Sequence, residues 1–397
     1  MKVTRLEIVA IALTLPACQP DQVQTEGRAL EMAADVQSVI EQHVGLPFKE
    51  PPDIAVRTRE QIRAYLDAKI ETDLPPDELE RLSTVYRLFG LIPDTLDVRR
   101  LLSELYFEQV MGYYDPDSVM LFLPADLDPA VLRFTLSHEL VHALQDQYMP
   151  VTPLLSNERG NDRRIAAQAV LEGQATLVAT LDMLPDRGAD MLDEVWSELR
   201  VQMRDQQGQM PVLAAAPAVI REGLIFPYLT GADFVRWFGG QYPDTVPYGP
   251  RLPQSTEQIL HPDRYRIGDM PTELAFVDSI DAFHEDGFGQ FEIGIFLTEL
   301  TDSETTGRLG AMGWDGDRYA VLEVGDGYGV VWWSVWDNDR AADRFAGILQ
   351  GEWPDKVAPG RRYVVERFQI AGLPGVLFMY GPSDWEAWNR PPEVTPR

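Results

Sequence analysis

Apolar positions along this chain recur in two rhythms, and the change from one to the other divides it. Residues 26–44 (EGRALEMAADVQSVIEQHV) carry apolar side chains at helical spacing and stop at Gly45-Leu46-Pro47, so they predict a helix. Residues 59–71 and 77–89 predict two more, the second opening after Pro75-Pro76 and ending at Gly90. In 107–124 (FEQVMGYYDPDSVMLFLP) two β-rich runs flank the turn cluster Asp115-Pro116-Asp117-Ser118, which predicts a hairpin. Asp128 as N-cap and Pro129 at the first helical position then open a helix over 129–147. Helices follow over 161–184, 189–208 and 218–240, the last kinked or restarted at Pro227. The Pro-rich connector 247–265 holds a short helix capped by Ser255 or Thr256.

From residue 270 onward the period-two rhythm takes over. After a helix over 289–300, the runs RYAVLEV and YGVVWWSVW on either side of Gly325-Asp326-Gly327 predict a hairpin. A helix over 338–350 opens on Asn338 or Asp339, and YVVERFQI (363–370) with GVLFMY forms a second hairpin. The tryptophans of VVWWSVW read as sheet core rather than as a ligand platform. The expected fold class is α+β: a helix-rich part with a small β-hairpin, then a smaller α+β module over 270–397.

Composition narrows the functional classes. A net charge of −29 excludes a nucleic-acid partner, because a polyanion would be repelled. The 45% hydrophobic content is that of a chain with a packed core. One cysteine, Cys18, precludes an intrachain disulfide. Its context is MKVTRLEIVAIALTLPACQP: basic Lys2 and Arg5, a short apolar run, then Leu15-Pro16-Ala17-Cys18. This is the layout of a secretory signal over 1–18 with a lipobox-like end, interrupted by Glu7 and with Pro16 in an uncommon place. The expectation is export to the cell envelope or periplasm, with membrane attachment through a lipidated Cys18.

The chemistry concentrates in FTLSHELVHALQDQY, where His138-Glu139-Leu140-Val141-His142 reads H-E-x-x-H. Positions i and i+4 of a helix share a face, so both imidazoles can reach one ion, and Glu139 borders that face within reach of a water on it. The stripe Leu132, Leu136, Leu140, Ala143 and Leu144 would anchor the helix in a core. The bland alternative is a helix with two solvent-facing histidines. A catalytic zinc takes three protein ligands plus water, and no third histidine follows at metzincin spacing. In RIAAQAVLEGQATLVATLDM, Glu172 is the one acid before Asp182, and Gly173 and Ala175 leave room for the motif helix to approach. Rival ligands are Asp146, Glu158, Asp162 and Glu222, while a solvated Glu172 is the non-functional reading. Asp146, one turn beyond His142, suits a hydrogen bond to a ligand imidazole. His261, Tyr265, Tyr228 and Tyr148 are candidate donors to a developing oxyanion.

H-E-x-x-H followed by a glutamate in an E-G-x-A context resembles the gluzincin metallopeptidases, the thermolysin-like division of zincins. The strings GYYDPDS, HELVHALQDQ, LEGQA, FPY and STEQILHP are similar to those of a family of uncharacterised exported bacterial proteins of metallopeptidase type. The resemblance covers most of 100–265 and implies a zincin-like metallopeptidase domain over 19–265. It implies Zn²⁺ held by His138, His142 and Glu172, Glu139 as general base, and a peptide or protein substrate. It also implies that VMLFL is an edge strand that pairs with extended substrate. Where some gluzincins carry an aspartate four residues after the ligand glutamate, this chain has Thr176, so the support of its histidines must differ. The alternative is a non-catalytic zinc-binding envelope lipoprotein that acts as a binding or assembly factor.

Overall fold

The computed structural model of the chain describes residues 22–184 and 188–397; the expected signal segment and Cys18 lie outside them. It begins with α1 (Gln22–Val44), which ends where Gly45 turns to φ 77°. Strand β1 (Asp53–Arg57) leads into α2 (Arg59–Asp73), opened by a reciprocal capping box between Thr58 and Gln61. Next come α3 (Pro76–Leu88) and α4 (Val98–Gln109), the latter capped by Asp97. The predicted hairpin is β2 (Tyr113–Asp115) with β3 (Met120–Pro124), but Phe107 to Gln109 belong to α4 and not to a strand.

The sheet order is β1-β3-β2, with β1 parallel and β2 antiparallel to β3. This corrects one expectation. VMLFL is the central strand, because Asp53 to Arg57 pair with Met120 to Pro124 and occupy its outer side. The edge beside the motif helix is therefore β2. Nothing in DIAVR announces its partner; the pairing is parallel and spans more than sixty residues of chain.

The motif helix α5 (Pro129–Tyr148) opens as expected, with the Asp128 carboxylate accepting the N–H of Ala130 at 2.8 Å. It is buried on nearly every side, not along one stripe: Leu132, Leu136, Leu140 and Leu144 pack with Ile40 of α1, Leu121 and Leu123 of β3, and Ala175. After the single turn α6 (Val151–Leu154) comes α7 (Asn161–Met183), then α8 (Gly188–Gly208), α9 (Pro211–Ala215) and α10 (Ala218–Gln241), which contains Pro227.

Helices α7 and α10 cross at two glycines. A Cβ on Gly173 would sit 2.2 Å from the Gly231 carbonyl carbon, and one on Gly231 would sit 2.0 Å from the Ala169 oxygen. Backbone meets backbone there, which only glycine permits. The room left by Gly173 thus serves α10; of the two small residues, Ala175 is the one turned toward α5.

Short helices α11 (Thr256–Leu260, capped by Ser255) and α12 (Pro262–Ile267) lead to β4 (Leu274–Phe276) and β5 (His284–Asp286). Then follow α13 (Gly289–Thr301), α14 (Glu304–Ala311), β6 (Trp314–Val324), β7 (Gly327–Trp336), α15 (Asp339–Glu352), β8 (Arg361–Ile370), β9 (Leu373–Pro382) and β10 (Val394–Pro396). Five strands form an antiparallel sheet in the order β5-β6-β7-β9-β8, and β4 pairs with β10 apart from it. The tryptophans of β7 are core on both faces: Trp332 and Trp336 lie against α13 and α15, Trp333 among Leu274, Val331 and Leu377.

The architecture is α+β and mostly helical, as expected. The change near residue 270 is one of secondary structure, not a break in packing. Phe89, at the end of α3, inserts among Phe288, Phe296, Trp332, Trp353 and Phe378, with ring centroids 4.8 to 6.4 Å away. The N-terminal helices therefore complete the core of the C-terminal sheet. Among the described residues, no helix is long and apolar enough to cross a membrane.

Candidate metal centre

His138 and His142 leave the same face of α5 with ring centroids 4.7 Å apart. Glu172, near the middle of α7, meets both: its Oε2 lies 3.1 Å from His138 Nε2 and 3.5 Å from His142 Nε2. One ligand atom from each of the three residues lies within 4.8 Å of the others. His138, Glu139, His142 and Glu172 are all fully buried. The packing of α5 on α7 is what brings the acid of one helix to the imidazoles of the other.

The electrostatics follow from that burial. Loss of water pushes the His138 imidazole down to about 4, so it is neutral at pH 7. Burial alone would raise Glu172, but the two imidazoles outweigh it and hold the carboxyl below the usual range, hence ionised. A divalent cation needs neutral imidazoles and an ionised carboxylate as ligands, and His138 and Glu172 are already in those states. Three convergent N, N and O donors match the ligand preferences of zinc. Glu172 Oε1 and His138 Nδ1 are buried with no hydrogen-bond partner among the described residues, a costly arrangement that a bound cation would relieve at the carboxylate. The residues fit the ion.

Glu139 points elsewhere. Its Oε2 accepts the backbone N–H of Tyr114 in β2 at 2.8 Å. The chain of β2 is pressed onto α5 just before that: a Cβ at Gly112 would lie 2.7 Å from Thr135 Cγ2 and 3.3 Å from Glu139 Cγ. A glycine is needed for that approach.

The support of His142 differs from expectation. Asp146 accepts the Tyr114 hydroxyl at 3.2 Å and the Val151 N–H at 3.0 Å. It is Gln145, one residue earlier, whose Oε1 lies 2.9 Å from His142 Nδ1. The rival ligands stay away from the cluster. Asp162 accepts from Thr256, Glu222 pairs with Arg204 and Arg221, and Glu158 is exposed. Of the four oxyanion candidates, Tyr148 donates to the Pro47 carbonyl at 2.6 Å and Tyr265 to that of Arg251 at 2.7 Å. His261 lies 3.1 Å from the Gln290 amide nitrogen. Tyr228 alone of the four packs on the triad, its ring 6.1 Å from that of His138 and inclined by 27°.

Residues that sequence reasoning passed over are Gln145, Gln174, Gly112 and Tyr114. Gln145 had a usable signal: it is a polar residue at i+3 from a ligand, on the same helix face. The backbone amide of Tyr114 had none, since every residue but proline has one.

A domain of unknown function, DUF8575, matches residues 276–368. No curated protein and no solved structure matches the chain significantly. The matched stretch runs from the end of β4 into β8; it contains neither β9, which pairs with both β7 and β8, nor any residue of the cluster on α5 and α7. What the chain shares with a described family is thus part of its C-terminal sheet and not its buried His-His-Glu group.

Proposed function

We propose that this chain is a zinc-dependent metallopeptidase that hydrolyses peptide bonds. The observation that carries the reading is the convergence of His138, His142 and Glu172 around one point, with Glu139 beside it on the same helix. Zinc at that point would acidify a bound water and polarise the scissile carbonyl. His138 and His142 present neutral nitrogens, and Glu172 contributes one negative charge, so the centre would retain a net positive charge toward substrate. Glu139 takes the proton of the attacking water and hands it to the leaving amine. The Tyr114 N–H holds Oε2 of Glu139, which constrains the carboxyl group that would do this work. Tyr228, stacked on His138, is the nearest of the side-chain donors considered for the developing oxyanion.

The burial of all four residues favours a second reading. Structural zinc sites are closed, whereas catalytic ones keep a position for water and substrate. A closed site suits the non-catalytic alternative, a zinc-binding envelope protein that serves as a binding or assembly factor. Under the peptidase reading, a substrate enters only after the packing around these four residues opens.

Glu139→Gln separates the two. The amide retains an oxygen for the Tyr114 N–H but cannot accept a proton from water. The peptidase reading expects a folded variant that holds one zinc per chain and cleaves an unstructured protein such as casein on the order of 10²–10⁴ times more slowly. A wild type that binds zinc but cleaves nothing in a broad peptide library points to the scaffold. A variant as active as the wild type removes this motif from the chemistry altogether.

A further inference from the structure

We infer that Gln145 is the positioning residue of this centre: it holds His142 in the Nδ1–H tautomer and ties it to the helix that supplies Glu172. The inference rests on the metal reading above, and it names the group that prepares one ligand.

Three hydrogen bonds determine which way the Gln145 amide points. Its nitrogen donates to the Leu171 carbonyl at 3.0 Å and to Gln174 Oε1 at 2.9 Å. A backbone carbonyl can only accept, so the nitrogen end must face α7 and the oxygen end must face His142. That oxygen lies 2.9 Å from Nδ1 and can only accept as well, so Nδ1 carries the proton. In the neutral ring the lone pair is then on Nε2, the atom 3.5 Å from Glu172 Oε2. The hydrogen bond thus selects the tautomer that can bind a cation jointly with Glu172.

The same amide links two helices. Leu171 immediately precedes Glu172, so the clamp on its carbonyl sets α7 against α5 at the residue next to the ligand acid. Gln145 is completely buried and Gln174 is 5% exposed, so water does not compete for these bonds. His138 has no such partner, since its Nδ1 is buried without a hydrogen bond among the described residues. The preparation of the site is therefore lopsided, with one imidazole set by an amide and the other by packing against Tyr228 and Phe134.

The amide is also neutral. A carboxylate in its place would add a negative charge beside the imidazole and pull on its proton, making His142 a stronger donor and the centre less electrophilic. Gln145 orients His142 without that charge.

The test uses the full chain labelled with ¹⁵N-histidine, which has only five histidines to assign. In the metal-free wild type, His142 should show the Nδ1–H pattern with a slowly exchanging, hydrogen-bonded proton. Gln145→Met keeps the volume but removes the amide; His142 should then lose that pattern, and zinc affinity from chelator competition should fall 10- to 100-fold. Gln145→Glu keeps an acceptor for Nδ1 but loses both donations to α7. The Nδ1–H tautomer should then persist while zinc affinity falls less than in the Met variant, and a tautomer retained there separates loss of the acceptor from loss of the fold. An Nε2–H tautomer in the wild type, or a Met variant with unchanged tautomer and affinity, overturns the inference. A wild type that binds no zinc defeats the metal reading instead, and the tautomer pattern still decides the role of Gln145.

Discussion

The crossing of α7 on α10 offers the sharpest check on how the site is held. In Gly231→Ala the added methyl carbon would lie 2.0 Å from the Ala169 oxygen and 2.8 Å from its carbonyl carbon, well inside contact distance. These are backbone atoms of a buried helix, so no rotamer change relieves the overlap, and the helices must separate. Overpacking of a core costs about 1–3 kcal/mol, and a backbone overlap belongs at the top of that range or beyond it. Against this stands a gain of about 0.5–1 kcal/mol from replacing glycine inside a helix. The net is a loss of about 2–3 kcal/mol. With a urea m-value of about 3 kcal/mol/M, the unfolding midpoint should drop by nearly 1 M. Tyr228 lies one turn before Gly231 and should leave its stack on His138, so zinc affinity should weaken as well. The same helix supplies the control. Gly223 and Gly239 have nothing within 4 Å of an added Cβ, so alanine there should stabilise by about 0.5–1 kcal/mol. Opposite-signed outcomes on one helix are hard to obtain by accident. If Gly231→Ala unfolds where the wild type does, or if Gly223→Ala falls as far, the close crossing is not what holds these helices.

Burial raises Asp162 to about 7 and Glu257 and Glu292 to about 8, all three where α7 and α11 meet α13. A carboxyl raised in the fold stabilises it below its ordinary pKa and ceases to do so as pH rises through the folded value, so the metal-free protein should melt progressively lower toward pH 8.5. His138, lowered from 6.5 to about 4, works the other way until the unfolded chain has lost its imidazole proton, so the decline should be clear from pH 7.5 upward; a flat or rising melting profile there would contradict it. Phe89→Ala should cost about 3–5 kcal/mol and disturb the tryptophan signals of the C-terminal sheet although the residue lies far from it in sequence, and unchanged near-UV circular dichroism would mean that the two parts do not share this core. For the proposed export and anchoring, the wild type should label with palmitate and partition into detergent, and Cys18→Ser should abolish both; soluble, unlabelled wild type would dismiss the anchor and leave the metal reading intact.

What the chain states locally could be read without a structure. Asp128-Pro129 opens α5 as caps do, the two histidines share a face because four residues make little more than one turn, and Gly325-Asp326-Gly327 closes its hairpin. Glu172 was legible because an acid in the apolar middle of a helix, away from Asp162 and Asp182 at its ends, must answer to something buried. Helical periodicity fixes angles around one's own axis, however, and says nothing about which neighbour occupies each direction. From His142, Asp146 lies about 40° to one side of the helix face and Gln145 about 60° to the other. Only the position of α7, with the Leu171 carbonyl and Gln174 at hand, made Gln145 the partner and turned Asp146 toward Tyr114. The same holds for Gly173, whose missing side chain admits α10 and not α5. It holds for VMLFL too, which is interior because a distant five-residue strand pairs with it. Phe89 reads in sequence as the end of a helix and is packed at the centre of a sheet that begins two hundred residues later. Such contacts are energies between segments that the chain brings together only on folding, so the sequence contains them but does not display them.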